Sequence, residues 1–252
     1  MIPVLRTIFV MWLREVKKYL RSRSRMIGAL GQPLFYLLAL GYGLGSVFKA
    51  AGEGSYIQFL APGVIGMAII FTSIFNGMQI IWDRQFGFLK ETLVAPVSRV
   101  AIMLGRTFGG ATVATAQGSI VLALTLLFGF HPVNWVLVVP AILLMFLVAS
   151  LFSALGIMVA SFLTDMQGFQ LIMNFLVMPM FFLSGALFPL RNVPVLLLAL
   201  ATIDPLSYGV DGLRALLIGT SHFGVATDVA VLLTIAVVLL GMGIYRFTRI
   251  EA

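Results

Sequence analysis

Residues 57–82 read IQFLAPGVIGMAIIFTSIFNGMQIIW, without a single Asp, Glu, Lys or Arg. At 1.5 Å per residue, a helix of that length is about 39 Å long, more than the ~30 Å hydrocarbon core of a bilayer. No ten-residue alternating segments suggest a β-barrel, so the stretch predicts a helix that satisfies its own backbone inside lipid. Working outward, five further stretches repeat the pattern at 26–48, 104–130, 135–163, 167–189 and 224–245, with no ionisable residue near their centres. The chain therefore reads as a single all-α membrane domain over 1–252 with six transmembrane helices.

Composition agrees. The 252 residues are 61% hydrophobic and 10% charged, whereas soluble domains run at roughly 45–50% and 25%. Too few charges remain to clothe a water-soluble globule. Cysteine is absent, which excludes disulfides, thiol nucleophiles and Cys-ligated metal sites. The first 25 residues scatter seven basic residues among apolar ones, unlike a cleavable signal peptide with a separate apolar core. The mature chain is expected to begin at or near Met1.

The net charge of +7 is explained by where the basic residues fall. With the N-terminus inside, Arg6, Arg14, Lys17, Lys18, Arg21, Arg23, Arg25, Arg84, Lys90, Arg99, Arg106, Arg246 and Arg249 lie on the cytoplasmic side, leaving Lys49, Arg191 and Arg214 outside. This bias predicts that both termini are cytoplasmic. It leaves no case for nucleic acid and retains an attraction to anionic membrane lipids.

Three connecting regions carry more than a link. Residues 1–25 contain Leu5, Ile8, Phe9, Trp12, Leu13, Val16 and Tyr19 at helical spacing, with Arg6, Arg14, Lys17 and Lys18 largely on other faces. That pattern predicts an amphipathic helix lying in the interface; a merely topogenic basic leader is the alternative. In 83–99, Phe86, Leu89 and Leu93 form an apolar stripe beside Lys90 and Glu91, Pro96 stops the helix and Ser98 can cap the next one. Such a helix either lets a soluble partner push on the flanking spans or simply covers headgroups. In 190–223, the apolar run Val195 to Ile203 would be only about 14 Å long as a helix and cannot span. Asp204-Pro205 has N-cap chemistry, Gly219 can end the helix begun there, and Asp211 and Arg214 are spaced to pair on one face. The expectation is an outer re-entrant helical pair, tolerated where it is buried against protein or a water-filled cavity.

Catalytic chemistry finds no support. His131 and His222 fall in outer loops, no metalloprotease or paired-carboxylate motif lies in a span, and Gly41 to Gly45 lacks the preceding strand of a phosphate loop. Gly105 and Gly109, followed by Gly110, give a spacing suited to helix packing. The spans do carry uncharged polarity at Asn76, Gln79, Gln117, Gln170 and Asn174. These amides either bond helices together or line a substrate route. An ion-driven carrier usually keeps ionisable groups at the bundle centre, which disfavours that class here. A P-loop is also missing, so active transport would draw on a separate ATPase; a non-transporting scaffold is the remaining alternative.

Two signatures now stand out. Phe88-Leu89-Lys90-Glu91-Thr92-Leu93-Val94-Ala95-Pro96-Val97-Ser98-Arg99 is similar to the cytoplasmic segment of type-2 ABC exporter permeases, which ends in a Pro-x-Ser-Arg-like turn. Phe182-Leu183-Ser184-Gly185-Ala186-Leu187-Phe188-Pro189, followed by Asp204-Pro205-Leu206-Ser207-Tyr208 and Asp211-Gly212-Leu213-Arg214, resembles that family's end of span five and its outer segment. The group includes drug-resistance, nodulation-factor and polysaccharide-export permeases. The resemblance implies a multi-pass subunit of a prokaryotic plasma (inner) membrane exporter for an amphipathic, lipid-like or glycan substrate. It implies a second copy or homologous permease, and two cytoplasmic ABC ATPase subunits that bind the ATP and magnesium. In that reading 83–95 is a coupling helix, with Phe86, Phe88, Leu89, Glu91 and Thr92 meeting the ATPase. Phe188, Pro189, Asp204 and Pro205 belong to an outer gate. The family also has a glutamate-rich version of the coupling segment, where this chain has Lys90 beside Glu91.

Overall fold

The computed structural model describes residues 4–50, 54–88, 94, 96–191 and 193–248, and there is no strand among them. The helices are α1 Val4–Arg21, α2 Arg23–Gly43, α3 Gly45–Ala50, α4 Tyr56–Gln85, α5 Arg99–Leu127, α6 Val138–Ala160 after a 3₁₀ turn at Trp135–Leu137, α7 Met166–Leu183, α8 Val195–Ile203, α9 Pro205–Ile218 and α10 Val225–Phe247. Six of them, α2, α4, α5, α6, α7 and α10, are long and apolar enough to cross a bilayer. The protein is an all-α, multi-pass membrane protein. Because these helices alternate in direction, α1, the end of α4, the start of α5 and the end of α10 gather at one end, the basic end. The connections around 54, 128–135, 184–194 and 219–224 gather at the opposite end.

Helix α4 occupies the centre, packed against α5 and α6, with α2, α7 and α9 around it. Lipid tails are as apolar as leucine, so such a bundle is held by close packing rather than by escape from water. Two glycines provide that closeness. Gly77 of α4 meets the backbone of Gly156 of α6, and a Cβ added to Gly156 would sit 2.6 Å from the Ile74 carbonyl oxygen. Ile69, Ile70, Met145, Val148 and Phe152 fill the layers around this contact and are fully buried.

The boundaries depart from the sequence reading in three places. The span expected at 26–48 is two helices, because Leu44, flanked by Gly43 and Gly45, interrupts it. Helix α7 stops at Leu183 rather than 189. The Ser184 hydroxyl turns back to the Phe181 carbonyl at 2.8 Å and Gly185 takes a φ of +72°, so Phe188 and Pro189 lie in the turn that follows. Ser98 sits at the N-cap of α5, but its side chain makes no capping bond.

Helix α1 departs in its choice of face. It lies along α5, over Gly105 and Gly109, where added Cβ atoms would meet Met11 at 2.5 Å and Glu15 at 2.7 Å. It buries Thr7, Glu15 and Tyr19 and leaves Leu5, Phe9, Val10 and Leu20 exposed. Tyr19 turns inward to a partner on α5 and Glu15 lays its stem against Gly109, neither of which a hydrophobic pattern taken from α1 alone registers.

Candidate functional site

Charge at the basic end converges on Asp83, two residues before the end of α4. Its side chain accepts from Arg14 of α1 at 3.2 Å through both oxygens, and from Arg106 of α5 through Oδ2. Asp83 is 4% exposed and Arg106 2%. One step deeper, the Lys18 ammonium donates to Gln79 Oε1, the Tyr19 hydroxyl donates to Gln117 Oε1, and Trp12 Nε1 donates to the Thr112 hydroxyl at 2.9 Å. Burial pushes the Lys18 ammonium below its usual value, opposed by the nearby Glu15 and Asp83 carboxylates. Three helices are thus joined by side chains that have few other partners in a low-dielectric setting.

The sequence reading placed Arg106 among the loop charges and found no charge near the span centres. Arg106 is instead buried inside α5, and Asp228, expected in the last span, is a fully buried residue in the first turn of α10. Both lie toward helix ends. The signal was present in the sequence, as single charges within otherwise apolar stretches, but nothing in the sequence paired Arg106 with Asp83.

From this lock the chain runs into the 86–98 connection. Phe86 is 61% and Phe88 54% exposed, and Phe86 stacks on Trp82 at 5.2 Å. Leu89, Glu91 and Thr92, expected to share the coupling role, lie outside the described residues. Around the connection Arg84 donates to the Leu163 carbonyl at 3.1 Å, Arg99 donates to that of Thr248 at 2.7 Å, and Arg246 stacks over Phe162. The ends of four spans are stitched together there.

The five span amides separate into three groups. Gln79 and Gln117 are engaged with α1 as described. Asn76 lines a cavity of about 350 Å³ between α2, α4 and α5, together with Arg25, Gln32, Phe71 and Phe75. Gln170 and Asn174 stand exposed on α7, Asn174 at the middle of the helix. Helices α7 and α2 meet where Tyr36 packs edge-on against Phe181 at 5.7 Å.

At the opposite end α8 and α9 meet at 90°. Asp204 caps α9 by accepting from Leu206 N–H at 2.9 Å, Pro205 takes the first helical position, and α9 ends at Gly219 with a φ of +75°. The expected Asp211–Arg214 pair does not form. Asp211 instead accepts from the Ser221 hydroxyl and from the His222 and Phe223 N–H groups at 2.8–2.9 Å, which folds the 219–224 loop onto α9. Arg214 donates to the Gly185 carbonyl at 3.1 Å and lies 4.0 Å over the Phe59 ring. Each of these charges found unpaired backbone to hold, a demand that i, i+3 spacing does not reveal.

A six-span bundle with a 90° helical elbow after its fifth span is consistent with the architecture implied by the sequence motifs. Residues 6–218 match the ABC-2 type transporter family, and the chain belongs to it. It is 27% identical over 220 residues to Nodulation protein J of Rhizobium leguminosarum bv. trifolii, covering 86% of this chain and 81% of that protein. It is 28% identical over 229 residues to the inner membrane transport permease YadH of Escherichia coli strain K12, covering 90% and 88%. The protein is accordingly a membrane transport permease.

Proposed function

We propose that the chain is the membrane subunit of an ATP-driven exporter in a prokaryotic inner membrane, with both termini cytoplasmic and a separate ABC ATPase docked at the basic end. The observation that carries this reading is the grip on Asp83. Held from one side by Arg14 and from the other by Arg106, it makes α1, α4 and α5 one mechanical body only three residues from Phe86. A force applied to the exposed Phe86 and Phe88 is therefore delivered to three helices rather than to a loose loop. ATP and magnesium belong to the ATPase. In this reading Leu89, Glu91 and Thr92 extend the docking segment.

A second copy completes the unit. Gln170 and Asn174 are exposed on a span, and amides facing hydrocarbon without partners are costly. A second subunit or a water-filled path covers them, which puts the substrate route beside α7 and α2. The cavity at Asn76 combines apolar walls with Arg25 and Gln32, a lining suited to an amphipathic, lipid-like or glycan-bearing substrate. Phe188, Pro189, Asp204 and Pro205 then frame the exit. The test is co-expression with the ABC ATPases of the same genome. The native chain should carry one of them through purification and raise its ATP turnover, and Phe86→Asp should abolish both. A chain that purifies without any ATPase, or a Phe86→Asp variant that couples normally, overturns the reading.

A further inference from the structure

The opposite end holds a cavity of about 470 Å³ between the start of α4, α9 and the loops on either side of them. Its walls are fixed from several directions. Tyr56 donates to the Leu187 carbonyl at 2.8 Å, Val133 N–H bonds to the Leu217 carbonyl at 2.9 Å, and Asp211 holds the 221–223 backbone. The space is therefore built by the fold rather than left between loose loops.

Cations outnumber the carboxylate in it: Arg214 and Arg191 line the cavity with Asp211, His131 and His222. The Asp211 carboxylate is turned to three donors of the 221–223 loop and acts on Arg214 only through space. Arg214 is 8% exposed and its Nε has no hydrogen-bond partner. Among the described residues no carboxylate lies within 4 Å of Arg214 or of Arg191. Ser207 is buried on the same wall, its hydroxyl beside the Asp204 carboxylate. A buried guanidinium whose direct contacts are carbonyl oxygens and a ring, and whose Nε is unbonded, keeps capacity for an anionic hydrogen-bond partner.

We propose that this cavity is an oxyanion site that takes a phosphate group, with Arg214 at its base and Arg191 at its mouth. The Phe48 and Phe59 rings beside them offer apolar contact to whatever carries the phosphate. The proposal is independent of ATP-driven export, since it concerns only what the cavity binds.

Phosphate can arrive on a lipid headgroup or free in solution, and thermal melting of the full chain in a non-ionic detergent separates the two. The probes are short-chain phosphatidylglycerol, diacylglycerol with the same tails, and inorganic phosphate. A saturable rise in melting temperature with phosphatidylglycerol but not diacylglycerol supports the site. A matching rise with inorganic phosphate assigns it to the free ion, and none assigns it to the headgroup. Arg214→Gln should raise the half-saturating concentration about tenfold or more, as expected for losing a charged hydrogen bond. Should Arg214→Gln fail to fold, the exposed Arg191→Glu serves in its place, with the same direction expected. Equal stabilisation by diacylglycerol, no saturable rise with either phosphate probe, or unchanged half-saturation in the variant that folds overturns the proposal.

Discussion

The two ends of the bundle use their charges in opposite ways. At the basic end charge meets charge: Asp83 lies between Arg14 and Arg106, and the product is a connection from helix to helix. At the opposite end Asp211 and Arg214, one turn apart on α9, make no direct bond and each holds a backbone segment. The first arrangement makes helices move together; the second gives loops a fixed shape. Both answer the same requirement, that polar groups withdrawn from water find partners, but only the first joins helices through paired opposite charges.

That contrast can be broken most sharply at Asp83. Asp83→Ala leaves the Arg106 guanidinium buried without its counter-charge, and losing one member of a buried pair typically costs about 3–5 kcal/mol. The folded yield and the melting temperature in detergent should both collapse. Replacing Gly77 by Leu tests the packing beneath both ends. The added side chain has no room against Gly156, and overpacking of this kind costs about 1–3 kcal/mol or more; size-exclusion profiles should show aggregation or a lower melting temperature.

The opposite end should respond locally. Asp211→Asn weakens the bonds to the 221–223 backbone, and hydrogen bonds to charged groups are worth about 1.5–3 kcal/mol. Amide exchange at His222 and Phe223 should quicken about tenfold or more while the α4 core stays protected, a pattern readable by hydrogen exchange. If the whole bundle loosened instead, the division between the two ends would fail. Arg14→Ala should matter far less than Asp83→Ala. The Arg14 side chain is 35% exposed, so solvent screening limits its contribution to about 1 kcal/mol or less.

The smallest effect is expected at Lys18. Its pKa is lowered by burial, so over the pH range just below 10.5 the unfolded chain binds the proton more tightly than the folded one. Stability should therefore rise with pH through that range. Lys18→Gln should remove this component, seen as a flatter dependence of melting temperature on pH between about 8 and 10.

The spans were legible because a 20-residue apolar run has few alternatives in any solvent. The Asp204-Pro205 cap and the Gly219 stop were legible too, since both are local chemistry. Gly105 and Gly109 announced a close packing but not its partner, and α1 emerged as that partner only in three dimensions. Contacts set by distant residues stayed hidden. Nothing within α1 states that Tyr19 will meet Gln117, and the i, i+3 spacing of Asp211 and Arg214 suggested a pair that two hungry loops prevented. The family resemblance implied a coupling segment after α4 but did not reveal that Asp83 joins α4 to α1 and α5.

The docking of α1 also bears on the order in which the chain is made. Trp12 bonds to Thr112, 100 residues later, and Tyr19 to Gln117, 98 residues later. Helix α1 therefore lacks the helix it lies along until the third span has been synthesised. During that interval Gln79 of α4 is already available to Lys18, whereas Glu15 and Tyr19 wait for α5 to cover them. A ribosome halted before residue 112 would carry a nascent chain whose first helix is still open to protease, and one halted after α5 has inserted would carry a chain whose first helix is closed.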